Sequence, residues 1–349
     1  MKNKIIIYGI LPPPFGGVSV HLKRFKKYLE DSKINFVFLQ SNNSYRKHMF
    51  RNLFFSQISF QKNIIHLHGF QTGKKLPCLL FLMLFFNKKV IVTIHNDRFL
   101  LDYNSLKNIQ KVIARIFYSN ISHIISVKSD SKFGFIPDNK ISVIPAFIPP
   151  TPDETDIKRL PDFFHKIRHK HKFLITSNVS RISFYKNQDL YGFDLSIELM
   201  KRLINDGYKN IGLICVIPDI GDYDYFEKMQ NLVKKYNLED NFHIYTKPIA
   251  YPAVINICDF FIRPTNTDGD ALSIREAISL QKPAIASDVC KRPEGTILFK
   301  NRNIDDLYIK TADVINNYKE YKKRIENIKF EDYAEKILEV YKKVLNGGE

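Results

Sequence analysis

A chain of 349 residues with 44% apolar content is too long for one ordinary core and fits two domains of about 150 to 180 residues each. Its four cysteines, Cys78, Cys215, Cys258 and Cys290, are scattered with no Cys-x-x-Cys pair, which argues against a zinc site or disulfide framework and for a reducing, cytoplasmic setting. The formal net charge of +17 is unevenly placed: residues 1–150 hold 22 Lys+Arg against 6 Asp+Glu, and residues 151–349 hold 31 against 30. A first half carrying +16 points to an anionic partner there, either lipid headgroups and phosphates or nucleic acid.

In chain order, 4–11 begins basic but stops at three prolines without a small-residue cleavage site, so it reads as a first strand and not as a signal peptide. Short β-branched runs at 5–7, 36–39, 64–67, 90–94, 124–127 and 141–144 are strand candidates. Between them, 18–29, 76–86 and 105–118 have helical spacing or length. The longest apolar run, 76–86, falls well short of the roughly 20 residues that span a bilayer. Prolines then gather at 145, 149, 150, 152 and 161, with acids between them, which predicts an interdomain linker over 147–161.

A second alternating series follows: strand 173–177, helix 189–205, strand 211–217, helix 223–236, strand 242–245, helix 252–257, strand 260–263, helix 273–280 and strand 284–287. The tail, 304–345, reads as helical with dense Lys/Glu pairs. The expected fold class is α/β, two Rossmann-like domains facing a central cleft. The expected boundaries are 1–150, 151–329, and a C-terminal helix, 330–349, that could pack back on the first domain.

Four places carry candidate chemistry. Gly16 and Gly17 follow strand one and open a helix, where the backbone can approach a phosphate or sugar closely, although a simple turn explains two glycines equally well. Thr93-Ile-His95 ends an interior strand, placing an imidazole where ligands bind in such sheets. Arg181 and Lys186 follow the first strand of the second domain and could converge on a diphosphate, Arg as a bidentate fork and Lys as a point charge. Asp268-Gly-Asp-Ala-Leu-Ser-Ile-Arg-Glu276 sets two carboxylates eight positions apart, Asp268 in a loop and Glu276 about one turn into a helix whose first amides could hold an anion. Asp268-Gly-Asp270 and Asp222-Tyr-Asp224 also spell a possible Mg²⁺ or Mn²⁺ chelate, a three-letter pattern common by chance.

Taken in this order, together with Pro13-x-x-Gly16-Gly17-Val18 and its following His21, Val143-Ile-Pro145 and Pro283-Ala-Ile-Ala-Ser-Asp288, these motifs resemble the retaining, GT-B-fold glycosyltransferases of family 4, which build bacterial surface polysaccharides and glycolipids. The resemblance implies a donor diphosphate on Arg181 and Lys186, a ribose on Glu276, and the donor sugar and phosphate on Asp268 and the segment Gly269, Asp270, Ala271, Leu272 and Ser273. It further implies that Gly16 and Gly17 close over the donor and that His95 touches sugar or acceptor. The catalytic set so implied is His95, Arg181, Lys186 and Asp268. No cofactor and no metal are expected.

This chain departs from the family in bearing Asp268 where Glu is usual, a side chain shorter by about 1.5 Å, and Asp270 where the family has an aromatic residue. The implied activity is transfer of a hexose or related sugar from a UDP- or GDP-linked donor to a glycan or lipid-linked glycan, by a cytoplasmic enzyme in peripheral contact with an anionic membrane and with no nucleic acid. Alternatives on the same fold are a nucleic-acid glycosyltransferase and an NDP-sugar 2-epimerase; a noncatalytic sugar-nucleotide-binding protein is the alternative of another class.

Overall fold

The computed structural model describes residues 5–12, 17–40, 64–69, 75–85, 88–95, 99–127, 133–150, 157–268 and 271–346. The chain divides into two compact units, Met1–Ile148 with Glu331–Glu349, and Pro149–Phe330.

The first unit is built on a six-stranded sheet of β1 (Ile5–Gly9), β2 (Phe36–Gln40), β3 (Ile64–His68), β4 (Lys89–Ile94), β5 (His123–Ser126) and β6 (Ile141–Val143), in the order β2-β1-β3-β4-β5-β6. All its pairings are parallel. β1, β4 and β5 are almost wholly buried, as expected of a parallel sheet covered on both faces. Its helices are α1 (Gly17–Asp31), α2 (Lys75–Phe85), α3 (Phe99–Asn104) and α4 (Asn108–Asn120). One face of α4 is sunk into the core through Ala114, Phe117 and Tyr118.

The second unit carries β7 (Phe173–Asn178), β10 (Ile211–Val216), β11 (Phe242–Tyr245), β12 (Phe260–Arg263), β13 (Ala284–Ser287) and β14 (Thr296–Phe299) in the order β11-β10-β7-β12-β13-β14, again all parallel. Counted within the unit this is the 3-2-1-4-5-6 order of the Rossmann fold. Its helices are α5 (Asp162–Lys170), α6 (Phe193–Asn205), α7 (Tyr223–Lys235), α8 (Tyr251–Ile257), α9 (Leu272–Ser279), α10 (Ile304–Asn316) and α11 (Tyr318–Glu326). Side-chain oxygens cap two of them: Asp222 accepts from the Tyr225 amide at 2.9 Å, and Asn303 accepts from the Asp306 amide at 2.9 Å.

One expectation needs correction and others need detail. The helix expected from 189 begins at Phe193, because a two-residue hairpin precedes it, β8 (Phe184–Tyr185) against β9 (Gln188–Asp189). The Asp189 carboxylate instead accepts from the amides of Tyr191, Gly192 and Phe193 at 2.8 to 3.1 Å and more distantly from Asp194, organising the start of α6 from outside it. The helical tail divides into three helices, α10, α11 and α12 (Tyr333–Asn346), with breaks at Asn317 and at 327–332. Finally, α3, α5 and β14 were not foreseen.

The last helix, α12, belongs to the first unit. Ala334, Ile337, Leu338 and Tyr341 are buried with Ile5, Ile7, Leu22, Phe25 and Ile91 in one apolar cluster. No helix among the described residues is long and apolar enough to cross a membrane. Cys215 and Cys258 are buried free thiols, and Cys290 lies at intermediate depth.

Candidate functional site

In the second unit the chain runs from β7 outward through β10 and β11 on one side and through β12, β13 and β14 on the other. The connections leaving the carboxyl ends of β7 and β12 therefore diverge, and the crevice so formed is where such sheets take ligands. Arg263, the last residue of β12, bridges the two strands by donating from Nη1 to Asn178 Oδ1 at the end of β7, 3.1 Å away.

Asp268 lies five residues beyond Arg263 and is bound back to it. Arg263 Nε donates to Asp268 Oδ2 at 3.0 Å and Nη2 reaches Oδ1 at 3.4 Å. A second guanidinium arrives from the segment after β13: Arg292 Nη1 donates to Asp268 Oδ2 at 2.9 Å, and Thr265 Oγ1 donates to the same oxygen at 3.2 Å. Arg292 is in turn fixed by the Ser287 carbonyl at 3.0 Å, Ser287 Oγ at 3.2 Å and Thr265 Oγ1 at 3.3 Å. Burial pushes the Asp268 carboxyl up, but the two guanidiniums outweigh it and hold the group below the usual carboxylate range. Asp268 is thus a fixed anion whose charge is shared with two arginines. The Arg263 guanidinium also stacks over the Tyr191 ring, 5.2 Å from its centroid.

The two carboxylates of the sequence motif are separated as expected. Asp268 precedes α9, and Glu276 is its fifth residue, buried at 6% exposure. Ala271, at the N-cap, has no side-chain oxygen and makes no capping hydrogen bond to the first turn, the positive end of the helix. Ser273 is buried there. Gly269 and Asp270 lie outside the described residues.

Arg181 and Lys186 sit on the connection that leaves β7. Arg181 is exposed and pairs with Asp219 at 3.4 Å. Lys186 and Asn187 form the two-residue turn of the β8–β9 hairpin, both left-handed, with φ of 51° and 58°. A two-residue hairpin turn of the I′ type needs that geometry, yet lysine is an unusual occupant, so a strained backbone holds this ammonium at the hairpin tip. Its Nζ rests over the Tyr185 ring at 5.5 Å. The hairpin is tied to the β12–α9 loop by Asn266, whose Nδ2 donates to the Tyr185 carbonyl at 3.2 Å.

In the first unit, Gly17 is the exposed first residue of α1, and Gly16 lies outside the described residues. His95 follows β4 directly and is one of four converging histidines. His95 Nε2 and His68 Nδ1 are 3.0 Å apart, their rings stacked at 5.3 Å, and His21 on α1 meets the His95 ring edge-on at 5.4 Å. His66 lies beneath, its ring 4.3 Å from that of His68, Nε2 bonded to Thr93 Oγ1 at 2.7 Å and Nδ1 to the Tyr341 hydroxyl of α12 at 2.5 Å.

This cluster stands at the carboxyl ends of β3 and β4, beside the point where the first sheet changes direction between β1 and β3. Burial drives His21 down to about 4 and His66 and His95 to about 3, with neighbouring imidazoles pushing His66 and His95 further the same way. At neutral pH these rings are uncharged. His21 Nδ1 donates to the Ala146 carbonyl at 2.7 Å, which leaves Nε2 a lone-pair acceptor, buried and without a partner among the described residues. Among the described residues no group of three or more His, Cys, Asp or Glu is placed to hold a metal ion.

Sequence reasoning therefore singled out His95 as a site residue, named His21 only as part of a motif, and found one member of the Arg263–Asp268–Arg292 triad. An arginine closing an otherwise apolar strand, as Arg263 does, was the available signal for the triad.

Residues 161–330 match the family described as Glycosyl transferases group 1. Protein CapJ of Staphylococcus aureus is 32% identical over 177 residues, a stretch that spans 45% of this chain and 43% of CapJ. Among solved structures, a glycosyltransferase from Rickettsia africae superposes with a TM-score of 0.62 at 15% identity, covering 100% of both chains. HepE of Anabaena in complex with UDP-glucose superposes with a TM-score of 0.53 at 14% identity over 98% of both. At such identities the structural likeness shows the fold alone, two parallel-sheet α/β domains of the GT-B class.

Proposed function

Residues 161–330 form a glycosyl transferases group 1 domain, and from that premise we propose that the chain is a retaining glycosyltransferase acting on a nucleotide-diphosphate sugar. The observation that carries the proposal is the switch point of the second sheet. There the uncapped amides of α9, buried Glu276 and ionised Asp268 follow one strand, while Arg181 and Lys186 follow its neighbour. Cations suited to a diphosphate and carboxylates suited to ribose and sugar hydroxyls lie on the two connections that border one crevice.

The donor is UDP- or GDP-linked; a neighbour of the same fold, HepE, is known in complex with UDP-glucose. Arg181 and Lys186 take the diphosphate, Glu276 the ribose, and Asp268 with residues 269–273 the sugar and its adjoining phosphate. In transfer, the bond from the sugar's anomeric carbon to the diphosphate oxygen breaks and a bond from the acceptor oxygen forms on the same face. The acceptor's proton passes to the departing diphosphate. The positive groups stabilise the charge growing on that leaving group without a metal. His95 and His21, neutral at physiological pH, serve hydroxyls of sugar or acceptor as hydrogen-bond partners and not as cations.

The acceptor is a saccharide or lipid-linked saccharide of a bacterial surface polysaccharide, a reading supported by the CapJ relative and by the +16 charge of residues 1–150. The enzyme works in the cytoplasm, peripherally at the inner face of the membrane. A thermal-shift series against UDP, GDP, ADP and their sugars tests the reading. Stabilisation by one base with its sugar nucleotide, unchanged by EDTA, supports it, and no shift with any nucleotide overturns it.

A further inference from the structure

Helix α4 departs from the pattern of every helix that merely covers a sheet. Its inner face is closed over Ala114, Phe117 and Tyr118, each fully buried. Its outer face should be polar, yet it carries Ile109, Val112 and Ile116, 72%, 58% and 46% exposed. Spaced three and four positions apart, these stand above one another on the side opposite the core. Leu101, on the adjoining α3, is 65% exposed, and Phe81, on α2, which also packs on α4, is 41% exposed.

The charges on α4 itself have one sign. Asn108–Asn120 contains Lys111 and Arg115 and no acid, and Lys107 precedes it. On the helical wheel Lys111 and Arg115 fall between the apolar stripe and the buried face, so they border the stripe along one side.

We propose that the outer face of α4, Ile109, Val112 and Ile116 bordered by Lys111 and Arg115, is the surface by which this chain docks on an anionic lipid bilayer. The inference deepens the peripheral-membrane reading above and gives it a location. A 13-residue helix cannot span a bilayer, but laid in the interface it sinks β-branched side chains to the depth of the acyl boundary while its cations remain at the headgroups. Charge decides against a second copy of the chain as the occupant. Two such faces brought together would oppose like charges, in a domain whose first 150 residues already carry +16. An anionic leaflet meets both the apolar stripe and its basic border.

Co-sedimentation of the full chain with vesicles of phosphatidylcholine containing one-third phosphatidylglycerol, and with vesicles of pure phosphatidylcholine, tests this directly. The chain should bind the anionic vesicles selectively. The triple variant Ile109→Asp, Val112→Asp, Ile116→Asp should lose roughly tenfold or more in affinity, equivalent to losing the shallow burial of these side chains. Lys111→Glu with Arg115→Glu should weaken binding and flatten its dependence on salt. Because α4 lies outside the donor machinery, nucleotide-induced thermal shifts should be the same in all three proteins, so a failure of the donor reading would be visible separately. Failure of the parent chain to bind anionic vesicles, or unchanged binding by the triple variant, overturns the proposal. So does conversion of a dimer to a monomer by the triple variant with vesicle binding intact, which would make the stripe a self-interface.

Discussion

Arg292 Nη1 and Asp268 Oδ2 are joined at 2.9 Å although 24 residues separate them, and the arginine side chain is only 2% exposed. A carboxylate shared between Arg292 and Arg263 is the electrostatic centre of the β12–α9 loop. Asp268→Asn would leave two largely buried guanidiniums without their common counter-charge. It should lower stability by about 3 kcal/mol, the usual cost of breaking a buried ion pair from one side. Urea unfolding followed by circular dichroism measures this; a midpoint equal to that of the parent chain would mean the pairing contributes nothing.

Arg181 behaves oppositely. With a side chain 65% exposed and one long contact to Asp219, it contributes little to the fold. Arg181→Ala should change stability by about 0.5 kcal/mol or less while reducing sugar transfer by roughly a hundredfold or more, the scale of losing a group that stabilises transition-state charge. The pair of measurements, melting temperature and transfer rate, separates a ligand-binding cation from a structural one. Transfer at the parent rate would remove Arg181 from the mechanism.

Gly192 links the β8–β9 hairpin to α6 in a left-handed conformation, φ 69°, and a Cβ placed there would come within 2.2 Å of the Pro264 carbonyl oxygen. Pro264 follows Arg263, so the clash bears on the same loop. Gly192→Ala should cost about 2 to 4 kcal/mol, combining backbone strain with overpacking. Nucleotide affinity should fall as well, because the β12–α9 loop must shift to admit the methyl. Unaltered nucleotide titrations in the variant would show that the loop absorbs the change elsewhere.

The histidines predict an acid-labile first unit. His21, His66 and His95 titrate near 4, 3 and 3 in the folded chain and near 6.5 when unfolded. The unfolded state therefore binds more protons between these limits, and linkage makes stability fall as pH is lowered from about 6.5 toward about 4. Denaturant midpoints at pH 7.5 and 5.0 should differ, the lower pH being less stable. His66→Gln should shrink the difference, and a midpoint flat over this range would show that the rings are not buried neutral.

Much of the path to these sites could be read from residues. The apolar run ending in Arg263 and the small, turn-forming stretch after it announced a strand, a loop and α9, because a buried parallel strand needs continuous apolar residues and its loop needs compact ones. What could not be read was partnership across the sheet. His66 and His68 look like polar interruptions in a strand until β3 is known to lie beside β4, which carries Thr93 and leads to His95. Arg292 sits in a segment with no helical or strand period, and its destination depends on the turn after β13. Asp189 looked like a helix residue because its neighbours have helical spacing; four amides pointing at one carboxylate made it an external cap instead.

Helix α12 gives the chain an unusual order of assembly. Residues 149–330 are, in topological terms, an insertion into the first unit, whose sheet is covered on one side by side chains from Tyr333–Asn346. On a ribosome working at about 5 to 20 residues per second, the first 148 residues wait on the order of 10 to 40 seconds for that cover. Through that interval Ile5, Ile7 and Ile91 lack the α12 side chains that bury them in the folded chain, while the inserted unit can complete its own sheet first.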